Sequence, residues 1–201
     1  MTDSPAAAPP RASSSHAPLL PRRTERLALR PLRPGDEQDL LAYRRRADVC
    51  RYIPSDPLTE ETAADFITER MGLTQITKDG DRLILAIELA GQVIGDLLVR
   101  GGPAEDRQTE IGWVLNPDYQ GHGYATEAAR ELIRLSFTDL EMHRVWAQLD
   151  PRNTASASLC ERIGMLKEGH LRESMWFKGE WSDTAIYAIL RSDWKADDLA
   201  S

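Results

Sequence analysis

The sequence predicts one mixed α/β (α+β) domain, and three observations carry that reading. A strand-like run from Thr109 to Leu115 leads through the turn Asn116-Pro117-Asp118 and a two-glycine loop into an amphipathic helix. Strand and helix signals follow one another along the chain in the order β-α-α-β-β-β-α-β-α-β-β, about seven strands and about four helices. The 201 residues, 41% hydrophobic and 28% charged, suffice for one domain with a sizeable core.

Residues 1–23 differ in kind. Pro5, Pro9, Pro10, Pro18 and Pro21 lie among alanines and Ser13, Ser14 and Ser15, too little apolar surface to offset ordering. A disordered tail is expected there, without the apolar centre of a secretory signal. The folded domain is expected over 24–195, with a short tail over 196–201.

Leu27-Ala28-Leu29-Arg30 alternates as a first strand. Pro34-Gly35-Asp36 starts a helix expected to run to about Val49, since proline and acidic residues favour a helix start. Tyr52 to Pro57 is a loop, and Thr59 is placed to cap a second helix with Glu60 and Glu61 in its first turn. Arg82 to Leu89 and Val93 to Val99 read as strands joined by the hairpin signal Ala90-Gly91-Gln92. After the strand from Thr109 comes the strongest helix. Ala125, Ala128, Ala129, Leu132, Ile133, Ser136 and Phe137 share one face, with Glu127, Arg130, Glu131 and Arg134 on the other. A strand from His143 to Leu149, a helix from about Asn153 to Ile163 and two strands turning at Lys178-Gly179-Glu180 complete the order.

Net charge is −7 and the isoelectric point about 5.2, which argues against non-specific nucleic-acid binding. Cys50 and Cys160 are too few for a disulfide framework, and no Cys/His cluster suggests a metal. No apolar run is long enough to span a membrane, Leu83 to Ile87 being stopped by Glu88. A reducing cytoplasm fits.

The chemistry concentrates at Gln120-Gly121-His122-Gly123-Tyr124-Ala125 and the following Thr126. A strand, a glycine loop and a helix start bring unpaired backbone N–H groups together at the positive end of a helix dipole, a phosphate-binding corner. The dinucleotide fingerprint fails, because Gly121-x-Gly123 is followed by Thr126 where a third glycine is required. The nucleoside-triphosphate loop fails too, because no lysine occurs between Lys78 and Lys167.

The stretch resembles the Q/R-x-x-G-x-G/A signature of the GNAT superfamily of acetyl-CoA-dependent N-acetyltransferases, with Gln120, Gly123 and Ala125 at its fixed places. Asn153-x-x-Ser156-x-x-Leu159-x-Glu161-Arg162-x-Gly164-Met165 resembles a second pattern of that superfamily. Glu168-Gly169-x-Leu171-Arg172, with Lys178-Gly179, Asp183 and Tyr187, is similar to the last hairpin of its RimJ/RimL-like branch, which holds ribosomal-protein N-terminal and spermidine acetyltransferases. The element order agrees over essentially the whole chain after the tail. The resemblance implies a central mixed, mostly antiparallel twisted sheet and acetyl-CoA as co-substrate. Gln120, Gly121, His122, Gly123, Tyr124, Ala125, Thr126 and Asn153 would bind it, and a backbone N–H near Val114 or Leu115 would hold the oxyanion. A bulge near these residues, made affordable by Gly112, would splay the strand and admit the pantetheine arm.

Attack on a thioester requires a free amine, so a base is needed nearby. Glutamate bases in this superfamily often occupy the strand before the loop, which selects Glu110. The usual tyrosine acid is replaced by Cys160; Ser156, which matches a serine of the ribosomal-protein branch, is its substitute. The acceptor pocket should lie between the Arg51–Leu58 loop and the final hairpin, with Tyr52, Trp113, Trp176 and Trp181 as aromatic candidates. The expected function is direct acetyl transfer to a primary amine, first a protein N-terminus, with a polyamine or an aminoglycoside open and a homodimer allowed. A non-catalytic acyl-CoA-binding module is the alternative.

Overall fold

A computed structural model describes residues 20–195. The tail expected over residues 1–19 and the short one over 196–201 lie outside the described residues.

The elements run β1 (Arg22–Arg23), β2 (Leu27–Arg30), α1 (Glu37–Arg44), α2 (Ala47–Cys50), α3 (Glu60–Arg70), β3 (Arg82–Leu89), β4 (Gln92–Gly101), β5 (Gln108–Leu115), a 3₁₀ turn (Pro117–Tyr119), α4 (Tyr124–Thr138), β6 (Arg144–Leu149), α5 (Thr154–Arg162), β7 (Leu166–Phe177) and β8 (Glu180–Leu190). One eight-stranded sheet in the order β1-β2-β3-β4-β5-β6-β8-β7 organises them. Every neighbouring pair is antiparallel except β5–β6. Among the described residues no helix is long and apolar enough to cross a membrane.

The expected sheet is therefore present, with two departures. Arg22 and Arg23, assigned to the tail, form β1 and pair with Leu29 and Ala28. Arg22 reaches across to Glu131 and Asp139 of the α4 segment, which anchors an edge that composition reads as tail. The helix expected from Asp36 to about Val49 is broken into α1 and α2. Arg46 is extended (φ −81°, ψ 127°), and the Arg44 carbonyl, which a continuing helix would offer to Asp48, accepts from Leu58 N–H instead at 2.9 Å. The Thr59 cap behaves as expected: its hydroxyl accepts from Thr62 N–H, and Thr62 answers with its own hydroxyl.

Apolar residues fill both faces of the sheet. Leu85, Leu97, Ile111 and Val145 pack with Leu132 and Phe137 of α4 in the larger cluster. Ile84 and Val93 pack with Leu40, Tyr43, Phe66 and Ile67 of α1 and α3 in the smaller one. On that second face strand alternation aligns three rows: Arg82–Arg100–Glu110, Ile84–Leu98–Gly112 and Ala86–Asp96–Val114.

The feature that makes room for a ligand lies between β5 and β6. Their parallel pairing covers only Gln108–Glu110 against Arg144–Trp146. Beyond it β5 stays with β4 as far as Gly95↔Leu115, and β6 stays with β8 as far as Leu149↔Ala185. The strands separate without the bulge expected near Val114 and Leu115. The β4–β5 register is unbroken, so the opening comes from each strand following its other neighbour.

Candidate active site

Two features meet at this opening. The first is the corner before α4. Asn116 accepts from Asp118 N–H through its side chain, and Tyr119 and Gln120 N–H bond back to Asn116 and Pro117 carbonyls, fixing the 3₁₀ turn. Gly121 and Gly123 then take left-handed conformations, φ +81° and +80°. Glycine tolerates that region without strain. Gly123 is the N-cap of α4 and provides no side-chain cap. Among the described residues no acceptor meets the N–H groups of Gly121 to Thr126, and His122 and Gly123 are exposed. A helix start with free donors and no cap fits a phosphate-bearing ligand. The free donors of Gly121 to Thr126 fit the phosphates of a CoA-type co-substrate.

Arg26, which no sequence pattern singled out, belongs to this corner. Its guanidinium lies 4.6 Å from the centre of the Tyr124 ring and donates to the His122 carbonyl at 2.8 Å. Glu127 holds it through a 2.7 Å ion pair and accepts from its backbone N–H. His122 stacks on Tyr124 and its Nδ1 lies 2.8 Å from the Gln120 carbonyl oxygen.

The second feature is a cavity of about 500 Å³ on the α1–α3 face of the sheet, entering between β5 and β6. Glu110, Val114, Asn153 and Ser156 all line it, so four of the expected site residues converge. Leu115 and Gln120–Thr126 lie outside it, farther along β5 and at the start of α4. The pocket is also bounded by Tyr52 to Ser55 and by Met175, Phe177 and Ser182, the loop and hairpin expected to enclose an acceptor. Of the aromatic candidates, Tyr52 and Trp113 line it. Trp176 and Trp181 do not: they stack edge-on at the hairpin tip, exposed to solvent.

Glu110 is held from both sides. Arg100 Nη1 lies 3.2 Å from Oε2 and Gln148 Nε2 lies 3.1 Å from Oε1, leaving the carboxylate largely shielded but bordering the cavity. Arg100 and Gln148 become visible only when the strands are aligned, since they stand 10 and 38 positions away. Asn153 caps α5, its side-chain oxygen accepting from Ser156 N–H at 3.1 Å. Cys160 faces the core; burial pushes its thiol up to about 12, which makes it a poor nucleophile.

Backbone parity distinguishes Val114 from Leu115, the two residues expected near the oxyanion. Asn116 N–H bonds to Ile94 O on β4 at 2.8 Å. By alternation Val114 also points to β4, whereas Trp113 and Leu115 direct their N–H groups into the opening.

A splayed parallel pair with a helix start of free N–H donors beside it is an arrangement that suits an acyl-CoA-dependent transferase. The chain matches the family described as "Acetyltransferase (GNAT) domain" over residues 26–166, and it belongs to that family as an N-acetyltransferase. It is 32% identical to the uncharacterized N-acetyltransferase YnaD of Bacillus subtilis (strain 168) over 85% of this chain and 97% of the relative. The crystal structure of a GNAT-family acetyltransferase from Bacillus anthracis superposes with a TM-score of 0.75 at 32% identity, covering 85% of this chain and 98% of that one. The [ribosomal protein uS5]-alanine N-acetyltransferase of Escherichia coli (strain K12) is 31% identical over 42% of this chain and 43% of its own length.

Proposed function

We propose that the enzyme acetylates a primary amine directly, in a ternary complex with acetyl-CoA, and that Glu110 is its general base. The observation that carries this reading is the meeting of Glu110 and Ser156 in one cavity, at the opening that leads to the free N–H groups of Gly121 to Thr126.

The thioester supplies an activated acetyl group; the chain does the rest. Gly121 to Thr126 donate to the phosphates, and Trp113 N–H and the Trp113 carbonyl are free to pair with the pantetheine arm. Leu115 N–H stabilises developing negative charge on the acyl oxygen, a preorganised donor in a partly dry site. Glu110 accepts the ammonium proton, directly or through one water, with Gln148 fixing its orientation. Ser156 donates to the departing sulfur. A protein N-terminal amine is the first acceptor, in keeping with a relative named for an alanine of ribosomal protein uS5, with small amines next.

Glu110→Gln should lower kcat roughly 10²–10⁴-fold while CoA affinity stays nearly unchanged, and the loss should shrink at high pH, where free amine is abundant. Ser156→Ala should not be rescued by pH. A Glu110→Gln profile that merely parallels the wild type, with little loss at neutral pH, would reject Glu110 as the base.

A further inference from the structure

The acceptor cavity has a cationic end that the reaction does not use. Arg82 and Arg100 stand directly opposite one another on β3 and β4 and both line the cavity, as does Arg70 from α3. Like charges placed directly across an antiparallel pair repel. Arg100 has one carboxylate partner, Glu110, and Arg70 has one, the exposed Glu69, besides donating to the Phe66 carbonyl at 3.2 Å and lying over the Phe66 ring. Arg82 is exposed and has no ion-pair or hydrogen-bond partner among the described residues.

The other charges around the cavity are already engaged. Arg44 is buried in a paired contact with Asp96, to which Tyr43 also donates. Asp150 is taken by Arg152 and Ser182, and Asp183 by His170 and the Glu173 N–H. What remains is an excess of guanidinium groups at the β3–β4–α3 end. Guanidinium groups favour carboxylates through paired N–H donors.

Resting on the proposed acetyl transfer, we propose that the acceptor is an amine carrying a carboxylate, seated with the carboxylate between Arg82 and Arg100 and the amine at Glu110. Strand spacing sets the ruler: Arg100 is one strand and Arg82 two strands from Glu110, so amine and carboxylate are separated by roughly 5–10 Å. A glutamate-like small molecule meets this, and so does a peptide with a free N-terminus and an acidic residue at its second position. A polyamine does not, because it would bring positive charge to this end.

The test compares four acceptors: free glutamate, a short amidated peptide beginning Ala-Asp, the matched Ala-Lys peptide, and spermidine. Wild type should favour an acidic acceptor over both basic ones in kcat/KM, with glutamate and the Ala-Asp peptide separating the two sources. Arg82→Ala should lower kcat/KM for the favoured acceptor roughly tenfold to a hundredfold, and Arg82→Glu should shift preference toward the basic acceptors. A second readout does not depend on turnover: calorimetric binding of the acidic acceptors to enzyme saturated with CoA, weakened by Arg82→Ala. Binding of this kind without any acetyl transfer would refute the proposed reaction and uphold the carboxylate site. Transfer with spermidine or the Ala-Lys peptide preferred, or a preference that Arg82→Glu leaves unchanged, overturns the carboxylate site and leaves the reaction standing.

Discussion

Asp150, at the end of β6, accepts from Arg152 and, at 2.7 Å, from Ser182 Oγ, and these donors, Arg152 foremost, hold its carboxyl down at about 2. A carboxyl lowered on folding stabilises the native state above its ordinary value and loses that contribution as pH falls through the folded one. Asp150's share is therefore complete above about pH 5 and is lost between about pH 4 and pH 2. Urea titrations of wild type and Asp150→Asn should show a stability gap that is constant near neutrality and closes toward pH 2. A gap that does not change over that range would contradict the assignment. Glu131 makes the same point about single residues. Helical periodicity puts it on the solvent face of α4, yet it is buried because Arg22 and Arg134 both meet it. Arg134, three positions along the same helix, is a local partner, but Arg22 could not be assigned to it from local pattern, since it lies 109 positions away.

At the scale of elements, the loop into α4 depends on two left-handed glycines and an uncapped helix start. Gly123→Glu should abolish CoA binding in calorimetry, because it sets a carboxylate and a strained backbone where phosphate must sit. A side chain there also meets Arg26, whose Nη2 would lie 3.4 Å from the added Cβ. Unchanged CoA affinity would place the co-substrate elsewhere. The loop was legible in sequence because glycine spacing and helical periodicity are local. Its companion Arg26 was not, since its place beside Tyr124 follows from β2 lying near the start of α4.

For the whole molecule, β1 is the first strand of the described residues, and its pairing puts Arg22 and Arg23 in the sheet. Removing residues 1–19 should leave the melting temperature and acetyl transfer nearly unchanged, since the expected tail has little apolar surface to bury. Extending the deletion through Arg23 should destabilise the fold by roughly 2 kcal/mol, because it leaves Glu131 with Arg134 alone and removes a paired strand. Thermal melts of the two truncations separate these outcomes; equal stability would return Arg22 and Arg23 to the tail. The opening between β5 and β6 also belongs to this scale. It arises from competition between neighbouring strands, and no residue of β5 announces it.

By itself the sequence determined most of the element order, the glycine loop that opens α4 and the family resemblance, because each rests on short-range spacing: glycines in a turn, a 3.6-residue stripe, a cap three residues from its donor. It also named Glu110 and Ser156 through that resemblance. Only the tertiary structure decided that these two share a cavity with Val114 and Asn153. It alone aligned Arg82, Arg100 and Glu110 in one row, split the first helix and drew Arg22 into the sheet. Strand register and long-range ion pairs join residues whose separation in sequence carries no periodic signal, so they exist only once the chain has closed on itself.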